Sequence, residues 1–163
     1  MEELFKRFSE QVKTREDLIV LLDEIEEAIR LAYVGEPDVP LSKKLAKMSG
    51  AASEKFRGMI EDLEKEGEFP ASRREQNTFF SGLKKYLSSL PTVRLILAFT
   101  PSSEFLDRLA AYLEKKTARK IILDILVREE IVGGCLVEYE GEYRDYSMLK
   151  KLESVLVEYS QKP

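Results

Sequence analysis

Histidine does not occur among the 163 residues, and cysteine occurs once, at Cys135. Without histidine there is no Ser-His-Asp or Cys-His nucleophilic arrangement, no imidazole general base and no histidine metal site. A single cysteine forms no intrachain disulfide, and a reducing environment is the expectation. Long apolar runs are missing too. Leu95–Phe99 and Ile131–Val137 are among the longest, far short of the roughly 20 residues that span a bilayer. The acidic start Met1-Glu2-Glu3 has none of the basic character of a secretion signal, so no export through a membrane is expected. An excess of base is also lacking: 26 Lys and Arg face 30 Asp and Glu, a net charge of −4. The basic clusters, Lys43-Lys44 with Lys47 and Lys115-Lys116 with Arg119-Lys120, are broken by apolar residues and read as solvated ends of elements. Nucleic acid is therefore not among the expected partners.

What is present is apolar periodicity in a charged background. Hydrophobic residues make up 44% of the chain and charged residues 34%, the composition of a folded protein with a dense charged surface. Thr14-Arg-Glu-Asp has capping-box spacing, and Leu18, Leu22, Ile25, Ile29 and Ala32 then fall on one helical face, widened by Leu21 and Ala28. The opposite side is acidic, from Glu16 to Glu27. Gly35 with Pro37 and Pro40 ends this helix. Helices are expected over 41–49 and 52–66, with Phe56, Met59, Ile60 and Leu63 inward and Gly67 as a stop. Ser72 with Glu75 opens another, carrying Phe79, Phe80, Leu83, Tyr86, Leu87 and Leu90 as core.

Past Pro91 the period changes from helix to strand. Val93, Leu95, Leu97 and Phe99 alternate with Arg94, Ile96 and Ala98, which predicts a strand. Thr100-Pro101-Ser102-Ser103 reads as a turn and cap for a helix over 104–116, with Phe105, Leu106, Leu109, Tyr112 and Leu113 inward. A second strand follows over 120–127, completing a βαβ unit. Gly133-Gly134 introduces a third strand with Cys135, Val137 and Tyr139 alternating, Gly141 turns it, and Tyr143 lies on the return. Ser147 caps a last helix whose inner stripe is Leu149, Leu152, Leu156 and Tyr159. The expected fold is α+β: an N-terminal helical bundle over 1–90, then a small α/β domain with a mixed sheet over 91–163, ordered strand, helix, strand, hairpin, helix.

The chemistry on offer is sparse. Gly133-Gly134 lacks the longer glycine pattern and following helix of a phosphate loop, and reads as a bulge or a positive-φ turn where two backbones approach. Cys135, on an inward strand position, reads as a small apolar filler. Asp124 interrupts an apolar strand; it would suit acid-base work with Asp145 or Glu138, but reads first as the exposed face of an edge strand. Asp145-Tyr146-Ser147 supplies short acceptors for free helical amides. No catalytic, cofactor-binding or metal-binding residue is assigned.

Six features occur in an order that identifies a family: Arg94 to Phe99, Thr100-Pro101-Ser102, Leu106 to Lys116, Lys120 to Val127, Ile131-Val132-Gly133-Gly134 and Asp145-Tyr146-Ser147. The C-terminal seventy residues resemble the C-terminal part of the delta subunit of F-type ATP synthases, the oligomycin-sensitivity-conferring protein of mitochondria. The Ile-Val-Gly-Gly and Asp-x-Ser pair carries most of the specificity. The resemblance implies a non-catalytic stator subunit without cofactor. It also implies two partners, the N-terminal helices of the alpha subunits for the helical half and the peripheral stalk b subunits for the C-terminal half. The membrane would be met only indirectly, through the complex, at the cytoplasmic face of a bacterial inner membrane or its organellar counterpart. Two other readings of the residues stay open. One is the E-type peripheral stalk subunit of vacuolar or archaeal ATPases. The other is a small phosphate-binding α/β regulator or enzyme using Asp124, Cys135 and Asp145.

Overall fold

The helical period of the first ninety residues becomes, in a computed structural model that describes residues 1–36, 39–47, 50, 52–131 and 133–148, five helices among the described residues. They are α1 (Glu2–Ser9), α2 (Arg15–Ala32), α3 (Leu41–Lys47), α4 (Glu54–Glu66) and α5 (Arg73–Ser88). The caps follow the local chemistry. Ser53 Oγ accepts from Phe56 N to open α4, and Gly67, at φ 72°, closes it in the left-handed conformation that a side chain disfavours. Ser72 and Glu75 form the complete capping box of α5, each side chain bonding the other's backbone amide. Two compact units divide the chain: Met1–Ser9 with Asp17–Ser89, and Glu10–Glu16 with Leu90–Pro163.

The core of the first unit is aromatic. Phe79 stacks edge-on with Phe5 at 5.5 Å, Phe8 at 6.2 Å, Phe69 at 5.8 Å and Phe80 at 5.5 Å between ring centroids. Phe56, Ile60 and Leu63 from α4, and Phe79, Phe80, Leu83 and Leu87 from α5, are buried as their spacing predicts. On α2 the buried arc runs through Leu21, Ile25, Ala28, Leu31 and Ala32, with Leu18, Leu22 and Ile29 half-buried beside it. Helix α1 has no counterpart in the expectations. Its signal is short: Glu2 and Glu3 in the first turn, where the macrodipole favours acids, and Phe8 buried at the far end.

The second unit holds a four-stranded sheet in the order β2-β1-β3-β4, built from β1 (Thr92–Leu97), β2 (Ile122–Val127), β3 (Cys135–Tyr139) and β4 (Glu142–Asp145). β1 and β2 are parallel and joined through helix α6 (Ser103–Thr117); β1 pairs antiparallel with β3, and β3 with β4. Ser102 caps α6 by accepting from Phe105 N. The β3–β4 turn places Glu140 at φ 51° and Gly141 at φ 81°, two successive left-handed residues of the kind a tight hairpin demands. One face of the sheet packs Val93, Leu95, Leu97 and Leu123 against Ala110, with Phe105, Leu106, Leu109 and Leu113 of α6 around them. This is the α+β architecture expected from the periodicity.

Two residues depart from their expected places. Tyr112 is 57% exposed rather than inward, because the buried arc of α6 centres on Leu106, Leu109, Ala110 and Leu113 and leaves position 112 on the flank. Phe99 lies outside the strand: β1 ends at Leu97, whose carbonyl accepts from Arg128 N, and the exposed Phe99 ring meets Phe105 edge-on at 5.7 Å. The expected final helix, with Leu149, Leu152, Leu156 and Tyr159, lies outside the described residues. Replacing Phe80, fully buried within the aromatic cluster, by alanine is expected to cost about 3–5 kcal/mol of stability, whereas Ile19→Ala on the exposed side of α2 should stay within about 0.5 kcal/mol. Urea denaturation followed by circular dichroism measures both; equal effects would contradict this packing.

Candidate functional site

The twin glycines and the Asp-Tyr-Ser triplet, distant in sequence, meet at the start of β3. Gly133 and Gly134 hold φ at 121° and 82°, outside the range an L side chain readily adopts. A Cβ on Gly134 would stand 2.3 Å from the Tyr146 carbonyl oxygen and 2.9 Å from Ser147 Cα. The two backbones are then locked by hydrogen bonds: Tyr146 N donates to Cys135 O at 2.8 Å, and Met148 N donates to Gly133 O at 2.9 Å. Asp145 completes the turn by accepting from Ser147 N at 2.8 Å, and Ser147 itself is buried. The space above Gly134 that a phosphate would need is filled by the chain's own backbone. What this geometry achieves is closure: it fixes how the chain leaves the β3–β4 hairpin.

Asp124 is not on an exposed strand face. It is only 6% exposed, although β2 is an edge strand. Its Oδ2 accepts from Arg94 Nε at 3.0 Å and from Arg15 Nη1 at 3.2 Å. The register explains the first partner: Arg94 lies directly across from Asp124 on β1 and, on its other side, from Glu138 on β3. Arg94 Nη1 also reaches Glu138 at 3.4 Å, so one guanidinium stands between the two carboxylates, and Asp124 foremost raises the Arg94 pKa above its ordinary value. This is a cross-strand ion row on the sheet face opposite α6. Asp124 and Asp145 sit on β2 and β4, opposite edges of the sheet that lie about 14 Å apart at ordinary strand spacing, and Asp145 is two residues out of register with Asp124. They do not form an acid-base pair. Burial, and then the Asp145 carboxylate, push the Cys135 thiol pKa up, which suppresses the thiolate. Cys135 is half-buried and packs against the core as the apolar filler its position suggested.

Beside this region, a groove of about 640 Å³ is lined by Tyr112, Leu113, Val137, Tyr139, Arg144 and Tyr146, among others. It offers ring faces and aliphatic side chains with a charged margin. Arg94 and Arg15 were not singled out by sequence reasoning. The signal for Arg94 was available: it is the third residue of a six-residue strand, as Asp124 is of the strand parallel to it. Arg15 carried no such signal, since its pairing with Asp124 joins residues 109 apart.

Gly134→Ala and Gly141→Ala separate conformation from contact. Gly141 has φ 81° and nothing within 4 Å of a built Cβ, so alanine there should cost only the left-handed penalty of about 1–2 kcal/mol. At Gly134 the same penalty is joined by displacement of the Tyr146 backbone, worth about 1–3 kcal/mol more. Chemical denaturation of the two variants should rank Gly134→Ala clearly lower; equal stabilities would contradict the closure.

A family model described as ATP synthase delta (OSCP) subunit matches residues 74–156. ATP synthase subunit delta of Nitrosospira multiformis is 34% identical over 83 residues, 51% of this chain and 47% of that protein. The aligned stretch thus spans about half the length of this curated relative. The family match takes in α5, the whole four-stranded sheet and both halves of the glycine closure. With more than half of its residues matched, the chain belongs to the ATP synthase delta (OSCP) subunit family.

Proposed function

We propose that this chain is a stator component of an F-type ATP synthase, holding the catalytic alpha/beta hexamer to the peripheral stalk without a reaction of its own. The observation that carries the reading is the match over residues 74–156, which covers the four-stranded sheet and its Gly-Gly and Asp-x-Ser closure together. In this reading the second unit meets the stalk b subunits, and the helices of the first unit take the amphipathic N-terminal helices of the alpha subunits. The chain then works at the cytoplasmic face of the membrane, as a peripheral part of the complex. No helix among the described residues is long and apolar enough to cross a bilayer, which accords with attachment through partners.

The physics of the role agrees with the surface. Resisting torque requires slow dissociation, and slow dissociation comes from buried aromatic and aliphatic anchors more than from peripheral charge. The groove tyrosines, Tyr112, Tyr139 and Tyr146, are candidate anchors of that kind. The acidic side of α2 supplies long-range attraction for a basic helix.

Affinity purification of the tagged chain from membranes of its own organism, in mild detergent, should recover the alpha, beta and b subunits together. Tag-only controls should recover none. Recovery of no ATP synthase subunit would overturn the proposal.

A further inference from the structure

Residues 10–16, which lead into α2 and include its first two residues, belong to the sheet unit and not to the helical one. Leu123 N donates to Lys13 O at 2.8 Å, and Thr14 forms a single parallel bridge with Leu123, so the segment lies alongside the outer edge of β2. The Val12 side chain is 1% exposed. Lys13 Nζ pairs with Asp107 on α6, and Arg15 pairs with the buried Asp124 that Arg94 also holds. A parallel edge strand left bare exposes a row of unpaired amides and carbonyls and needs a cover. Here the cover comes from a segment 58 to 64 residues before the start of the family match.

We propose that residues 10–16 are a latch that completes the sheet unit at the outer edge of β2, so that the family-matched part of the chain is not a self-sufficient fold. Val12 supplies the apolar seat, the Lys13 carbonyl the strand hydrogen bond, and Lys13 and Arg15 two ion pairs that hold the segment from either side. Asp124 is the shared anchor: one carboxylate oxygen binds an arginine of the sheet and an arginine of the latch. Because the Lys13 and Arg15 side chains are about half exposed, salt screens their contribution and leaves the apolar seat and the backbone bond in place. The inference is independent of which partners the subunit binds.

The test is amide hydrogen exchange at residue resolution on the full chain. In the unaltered protein Leu123 should be protected. Val12→Asp, which puts a charge into the seat, should speed Leu123 exchange about tenfold or more while the amides of α4 and α5 keep their rates. Should Val12→Asp fail to fold, the milder Val12→Ala, which shrinks the seat without charging it, is read the same way, with faster Leu123 exchange and unchanged α4 and α5. An unprotected Leu123 in the unaltered protein, or Leu123 rates unmoved by whichever variant folds, would overturn the latch.

Discussion

At Gly134 the chain runs so close to Tyr146 and Ser147 that no side chain fits between them, and the sheet unit depends on that approach. A left-handed backbone there turns Cys135 onto the face that packs with α6, and the bonds from Tyr146 and Met148 tie the exit of β4 to the entry of β3. The hairpin is thereby closed at both ends, by Glu140-Gly141 at its tip and by the glycine pair at its base. Asp145 contributes the turn that brings Tyr146 into place. The glycine pair and the acidic turn therefore stand together in this chain for a steric reason: each holds the backbone that the other approaches.

The sheet's second face is organised by charge. Arg94 lies between Asp124 and Glu138 in register, and Asp124 is shared with Arg15. Burying a carboxylate is costly unless it is paired and hydrogen-bonded, and two guanidiniums satisfy that condition. The arrangement explains how an edge strand carries an acid at a buried position: the edge is covered by a segment that brings its own cation.

The parts of this architecture that were legible in the sequence are those written in local periodicity and turn chemistry. Ser72 with Glu75, Gly67, Ser102 and Gly141 each announced the element boundary they form, because caps and tight turns are decided within a few residues. The alternation of Val93, Leu95 and Leu97 marked β1 and its inner face. Long-range pairing was not legible. Nothing near Arg15 points to Asp124, and residues 12–14 are too short a stretch to show a strand period. Tyr112 was misplaced because a four-residue step from Phe105 through Leu109 and Leu113 leaves the three-residue neighbour ambiguous until a facing surface is known. The closure site stood between these cases: both motifs were visible, but their meeting was a matter of tertiary structure.

The role proposed for this chain is that of a part that holds other parts still. The most direct measurement of that role is coupling in membranes from which this subunit has been removed and to which it is added back. The account predicts that ATP hydrolysis by the head persists without the subunit, while proton pumping and ATP synthesis are lost and return on addition. Proton-coupled synthesis that proceeds equally well with and without it would contradict the account.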